Sequence, residues 1–289
     1  MKKITPGKLT AIFSTAFILS NTCLSTHAKA NNREVDALKD YNAKKNTLYK
    51  GYLPIKNFLE SRGLPLNIIQ TLAPDVTIYI YIFPETEISS GGVVARAYPP
   101  KTKKSGDKCL LFLNAFEKEK DLQSLLIALT DDEEIKFKSN FNIKLKNVAD
   151  FIFLHEIAHC NKNQFNMNSS HQREIEADYD AITTLVKVTG NTELIPFVTN
   201  LRALIINDLN HDTYLHIDAR LNGNPEPSLE DVRQANIHVN KYLEGKMDID
   251  QLPPLSLKRL DAYKKAVKYF IKEDKPLKFI NRNTPSPLI

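Results

Sequence analysis

Beyond its first thirty residues the chain has no apolar run of transmembrane length, almost no net charge, no repeat and only two cysteines. Each shortage excludes something. Crossing a bilayer as a helix takes about 20 consecutive apolar residues, so no later segment is expected to span a membrane. Residues 1–30 read as a targeting segment, and not as part of the fold. Met1-Lys2-Lys3 to Lys8 is a basic start, Leu9 to Ser20 is an apolar run of about a dozen residues, and Ala28-Lys29-Ala30 offers an A-x-A cleavage site. That run is too short to span and suits a secretory signal peptide. The expected mature chain begins near Asn31 and is periplasmic or secreted.

The shortage of charge follows from the same boundary. The whole chain carries +5, but residues 1–30 hold four lysines (2, 3, 8, 29) and no acid, leaving +1 for the rest. A nucleic-acid footprint needs a basic patch or a strongly basic domain, and none is expected. The uneven stretch from Pro254 onward has nine Lys and Arg against three acids. It reads first as a solvated helix face, with weak contact to an anionic surface as the alternative. Cys23 falls in the targeting segment, which leaves Cys109 and Cys160. In an oxidising compartment these form a disulfide or remain two buried thiols, and spacing alone does not choose between them.

What is present is concentrated at one place. Phe151-Ile-Phe-Leu-His155-Glu156-Ile-Ala-His159-Cys160 contains His-Glu-x-x-His inside a stretch, Asn147–Cys160, that has helical length and no Gly or Pro. Residues i and i+4 are neighbours on one helix face, so His155 and His159 can take two corners of one zinc ion, with Glu156 beside them as general base. Val148, Ala149, Phe151, Ile152, Phe153, Leu154, Ile157 and Ala158 make the helix apolar nearly all round, the mark of a buried helix. Buried histidines and a carboxylate need compensation, and a metal supplies it.

A catalytic zinc usually has three protein ligands and one open position. Lys162 and Phe165 stand where a metzincin would place Gly and His, so the third ligand is sought further on. Arg173-Glu174-Ile-Glu176-Ala-Asp178 begins a second helical stretch that ends near Gly190, a suitable C-cap. Glu174 and Asp178 share a face. Glu174 is expected to bind the metal, and Asp178 to accept a hydrogen bond from the far nitrogen of a liganding histidine. Glu176 is the competing ligand, about 200° around the helix from Glu174. His171 is a weaker competitor, and a solvated acidic face is the bland alternative for the whole run.

The pattern His155-Glu-Ile-Ala-His159 followed by Arg173-Glu174-Ile-Glu-Ala-Asp178 resembles the gluzincin metallopeptidases. More narrowly it is similar to the group of CaaX prenyl endopeptidases, HtpX heat-shock peptidases and periplasmic BepA-like peptidases. The resemblance covers residues 145–190. It implies zinc on His155, His159 and Glu174, Glu156 as catalytic base and Asp178 as ligand orienter. Asp180-Ala181 stands where that family has a small Gly.

The remaining stretches predict an α+β, zincin-like fold: a small antiparallel sheet followed by a mainly helical region around the buried motif helix. Strands are expected at 76–83, 92–98 and 108–114, rich in β-branched and aromatic residues. Helices are expected over much of 32–62 and at 119–130, 171–189, 192–207, 228–244 and 255–272. Residues 31–289 suit a single metallopeptidase domain with a helical C-terminal extension from about 208. Gly91-Gly92 to Tyr98 is a candidate sheet edge for pairing with an extended polypeptide substrate, an internal strand being the alternative. Asn210–Arg220 is rich in hydrogen-bond donors, and His216 and Arg220 are candidates for stabilising an oxyanion. The expected activity is exported zinc endopeptidase. A non-catalytic zinc protein that recruits partners, with Cys160 as fourth ligand, and an effector that cleaves one target are the rivals.

Overall fold

A computed structural model describes residues 52–83, 95–98, 108–114, 122–123, 126, 137–138, 143–167, 169–206 and 208–272. All of these belong to one compact unit, Gly51–Ile289. The expected signal segment, the helix before residue 52 and most of the helix at 119–130 lie outside the described residues.

The fold is α+β. Helices α1 (Tyr52–Ser61) and α2 (Asn67–Leu72) precede strands β1 (Thr77–Phe83), β2 (Ala95–Tyr98) and β3 (Lys108–Asn114). Among the described residues these are followed by helices α3 (Leu145–His159), α4 (Ser170–Thr189), α5 (Leu194–Leu204), α6 (Tyr214–Leu221), α7 (Leu229–Leu243) and α8 (Pro254–Phe270).

The expected antiparallel sheet is mixed. Its order is β1-β3-β2, with β3 parallel to β1 (Thr77 beside Lys108) and antiparallel to β2 (Ala97 beside Leu111). Cys109, Leu111 and Leu113 of β3 are buried on one face and Phe112 on the other, which suits a central strand, and β1 buries both faces too, at Ile78 and Tyr79. Because β1 and β2 run in opposite directions, the strand between them is parallel to one and antiparallel to the other. Among the described residues β2 is then an edge, as the Gly91–Tyr98 stretch allowed; residues 91–94 of that stretch lie outside the described residues.

Helix α3 packs against β2, β3, α2 and, most extensively, α4. Its buried residues run from Val148 to Ala158 with Ile152 alone partly exposed, as expected for a helix apolar all round. The buried acid Asp150 pairs with Arg62, beyond the C-terminal end of α1, and with Lys146 at 2.9 Å. A disulfide joins Cys109 of β3 to Cys160, the residue after His159, across a Cα–Cα distance of 5.7 Å. It settles the open choice for that pair and ties the central strand to the end of the motif helix. Beyond Cys160, Asn161 caps a 3-10 turn (Lys162–Asn166) and donates from Nδ2 to Leu72 O at 2.9 Å.

Helix α4 starts with Ser169 Oγ accepting from Gln172 N–H and ends at Gly190, whose φ of 67° lies in the left-handed region that glycine adopts without Cβ cost. The stretch expected as a C-terminal extension supplies α6, α7 and α8. Ala262, Tyr263, Ala266 and Phe270 of α8 lie in the main core with α5.

Candidate metal centre

The two motif histidines meet as the i, i+4 spacing requires. Their rings are edge-on, 4.6 Å between centroids, with the two Nε2 atoms 3.1 Å apart. Glu174 of α4 comes in from the facing helix: Oε2 is 3.2 Å from His155 Nε2 and Oε1 is 3.3 Å from His159 Nε2. These three residues offer ligand atoms within 4.8 Å of one another, and among the described residues they are the group that can hold a metal ion. Glu176 does not join them. It takes a bidentate grip from Arg220 at 2.6 and 2.8 Å, on another side of α4. His171 does not join them either; its Nε2–H donates to Asp212 O at 3.0 Å.

Each ring turns its other nitrogen to a partner. His155 Nδ1 is 2.8 Å from Asp178 Oδ1, an ion-pair contact without regular hydrogen-bond alignment, and His159 Nδ1–H donates to Gln164 Oε1 at 3.0 Å. Both partners are buried. Protons placed on Nδ1 leave Nε2 of each ring as the lone-pair atom, turned toward Glu174, which is the tautomer that metal ligation uses. Glu174 Oε2 is buried and accepts no regular hydrogen bond. Two imidazole nitrogens and a carboxylate oxygen with an unspent lone pair are a donor set that suits zinc, where catalytic sites use three protein ligands. The residues fit the ion.

Electrostatics describe the same unmet demand for a cation. Burial by itself would lower the His155 pKa, but Asp178 and Glu174 outweigh it and raise the ring to about 10. His159 is raised in the same way, against burial, by Glu174. Burial would push Glu174 up, yet His159 and His155 hold it well below the usual carboxylate range. Without a metal, a proton does the work of the cation.

Glu156 sits beside the ligands, only 6% exposed. Burial raises its pKa, against the pull of His159 and His155. The edge strand β2 comes up to it at Ala97, whose backbone amide lies near enough to its carboxylate to pull the pKa down. The candidate base is therefore bracketed by the ligand histidines on its own helix and by the edge of the sheet.

Asp178 is fully buried and does more than orient one ring. Oδ1 also accepts from Arg202 Nη2 at 2.6 Å, and Oδ2 accepts from Thr213 Oγ1 at 2.5 Å. Burial would raise its pKa, but Arg202 and His155 hold it down to about 2. Sequence reasoning missed Arg202, Thr213 and Gln164. Arg202 had a usable signal: it is the one charge between Phe197 and Ile206, an apolar run whose lone cation must be paired if it is buried.

His216 and Arg220 make contacts of their own. His216 packs its ring against His171, 5.3 Å between centroids. Arg220 is spent on Glu176, on Glu226 at 2.7 Å and on the face of Tyr179. Comparison with protein-family models, with curated proteins and with solved structures returns no match. Any functional reading therefore stands on the site itself.

Proposed function

We propose that this chain is a zinc-dependent endopeptidase of gluzincin type, with His155, His159 and Glu174 holding the metal and Glu156 as general base. What carries the reading is the convergence of three donors at one point with a buried, unpaired carboxylate oxygen among them and Glu156 alongside. Zinc, when bound, supplies Lewis acidity to a substrate carbonyl and brings the pKa of a water it holds to around neutrality. Glu156 takes a proton from the attacking water and returns it to the leaving amine. Its buried position favours a carboxylate that both accepts and gives back that proton, because burial raises its pKa toward the working range. Asp178 keeps His155 oriented through the reaction.

The edge position of β2, one amide away from Glu156, favours a substrate of extended polypeptide chain, paired through its backbone. Export to an oxidising compartment, periplasmic or extracellular, agrees with the Cys109–Cys160 disulfide, since such bonds persist outside the reducing cytosol. No helix among the described residues is long and apolar enough to cross a membrane. The rival of a closed, non-catalytic site loses one route to a fourth donor, because Cys160 is bonded to Cys109.

The test is Glu156→Gln, measured for zinc content and for hydrolysis of an unfolded protein such as casein. The variant is expected to keep the metal and lose turnover. Full proteolysis by Glu156→Gln would refute the assignment of the base.

A further inference from the structure

Asp178 is gripped by two residues from different places, Arg202 in the last turn of α5 and Thr213 just before α6. Both helices pack on α4 and on each other, and the residues that follow Arg202 and precede Thr213 are tied together besides. One side chain does this. Arg259 of α8 is fully buried, and its Nη1–H and Nη2–H donate to the carbonyls of Ala203 and Ile205 at 2.8 and 2.6 Å. The same guanidinium pairs with the carboxylate of Asp212, Nη2 to Oδ1 at 3.2 Å and Nε to Oδ2 at 3.3 Å, and donates to Asn236 Oδ1 of α7 at 3.1 Å. Asn236 Nδ2 in turn donates to Asp212 Oδ2. Arg259 thus holds the residue directly after Arg202 and the residue directly before Thr213.

Resting on the metal reading above, we propose that Arg259 is a positioning residue of the metal centre. It acts through the loop it closes, by way of Arg202 and Thr213, onto Asp178 and so onto His155. The planar fork is needed because its three nitrogens must together meet two carbonyls, a carboxylate and an amide oxygen at fixed angles, which an ammonium cannot do. Removal of the fork leaves those acceptors buried without partners. The loop then relaxes, and the two clamps on Asp178 lose their register. Asp212 adds a second line of support, since its carbonyl accepts from His171 on the same helix as Glu174 and Asp178. On this account α7 and α8 belong to the metal site's support and are not an appendage.

A purely structural Arg259 makes a different prediction, and a double-mutant cycle separates the two. The readout is zinc affinity by competition with a chromophoric chelator, on protein shown to be folded by circular dichroism. The variants are wild type, Arg259→Lys, Asp178→Asn and the double variant. Removing a partner of a ligand typically weakens metal affinity by ~10–100-fold. Arg259→Lys, one step further out, is expected to weaken it about tenfold, and to have no further effect once Asp178 is Asn. Equal losses in both backgrounds would overturn the proposal, and so would undiminished affinity in Arg259→Lys. If Arg259→Lys does not fold, Asp212→Asn, of the same shape and adjacent to Thr213, is taken through the same cycle with the same expectations. Failure of the metal reading is distinguishable from failure of the proposal, because in that case wild type itself takes up no zinc.

Discussion

Two polar clusters are each built around one glutamate of helix α4 and end in opposite conditions. One is His155, His159 and Glu174; the other is Glu176, Arg220 and Glu226. In the second, Arg220 satisfies Glu176 with two hydrogen bonds and Glu226 with a third, and its flat face rests on Tyr179. Its charges are answered within the protein. In the first, two imidazole nitrogens and a carboxylate converge on one another, Glu174 Oε2 lies 3.2 Å from His155 Nε2 without a regular hydrogen bond, and in the metal-free protein only a proton on the ring answers the carboxylate's charge. The two carboxylates are two residues apart, so helix geometry sends them to different sides of α4. Density of charge therefore does not mark a site; a charge balance left open does.

The comparison can be broken most forcefully at Asp178. If the open cluster is a metal centre, Asp178→Asn, which keeps an acceptor but removes the charge beside His155, weakens zinc affinity by ~10–100-fold. Chelator competition reads this directly, and an unchanged affinity would mean that Asp178 supports only the fold. Acidity offers a finer cut. In the metal-free protein the pKa of His155 is raised from 6.5 to about 10 by Asp178 and Glu174, against the effect of burial. A raised folded pKa gives stability that is full below about 6.5 and lost as pH climbs toward 10. Zinc must displace that proton, so its affinity is expected to rise across the same window, by up to about tenfold per pH unit. Titrations at several pH values between those limits check this, and a flat profile would contradict the proton's place in the cluster. The smallest expected effect belongs to the closed cluster. Glu176→Gln weakens a charged, partly buried pair and should cost about 1–2 kcal/mol of stability in a denaturant titration, with zinc affinity unmoved.

Much of the site was legible because it depends on local periodicity. The i, i+4 spacing of His155 and His159, and of Glu174 and Asp178, is a property of single helices, and both helices form almost where the residues place them. The strand at Lys108–Asn114 matches its expected ends for the same reason. What escaped was everything decided between elements. The insertion of β3 between β1 and β2 is a choice made by packing and not by pattern, since β1 and β3 both bury residues on two faces. Thr213 and Gln164 are short polar residues of types that occur in any loop, and only the fold brings them to Asp178 and His159. His216 and Arg220 attracted attention as donors near the motif in sequence. Arg220 found Glu176, because a buried polar group takes the partner that assembly offers, and His216 packs its ring on His171.

The central claim is that the open cluster, and not its neighbour, binds the metal. The most direct measurement is zinc content of the purified chain, wild type beside Glu174→Ala and Glu176→Ala, with chelator-sensitive hydrolysis of an unfolded protein read on the same samples. The account predicts one zinc per chain, lost with Glu174→Ala, kept with Glu176→Ala, and cleavage that follows the metal. Zinc retained in Glu174→Ala, or no zinc in wild type, would contradict it.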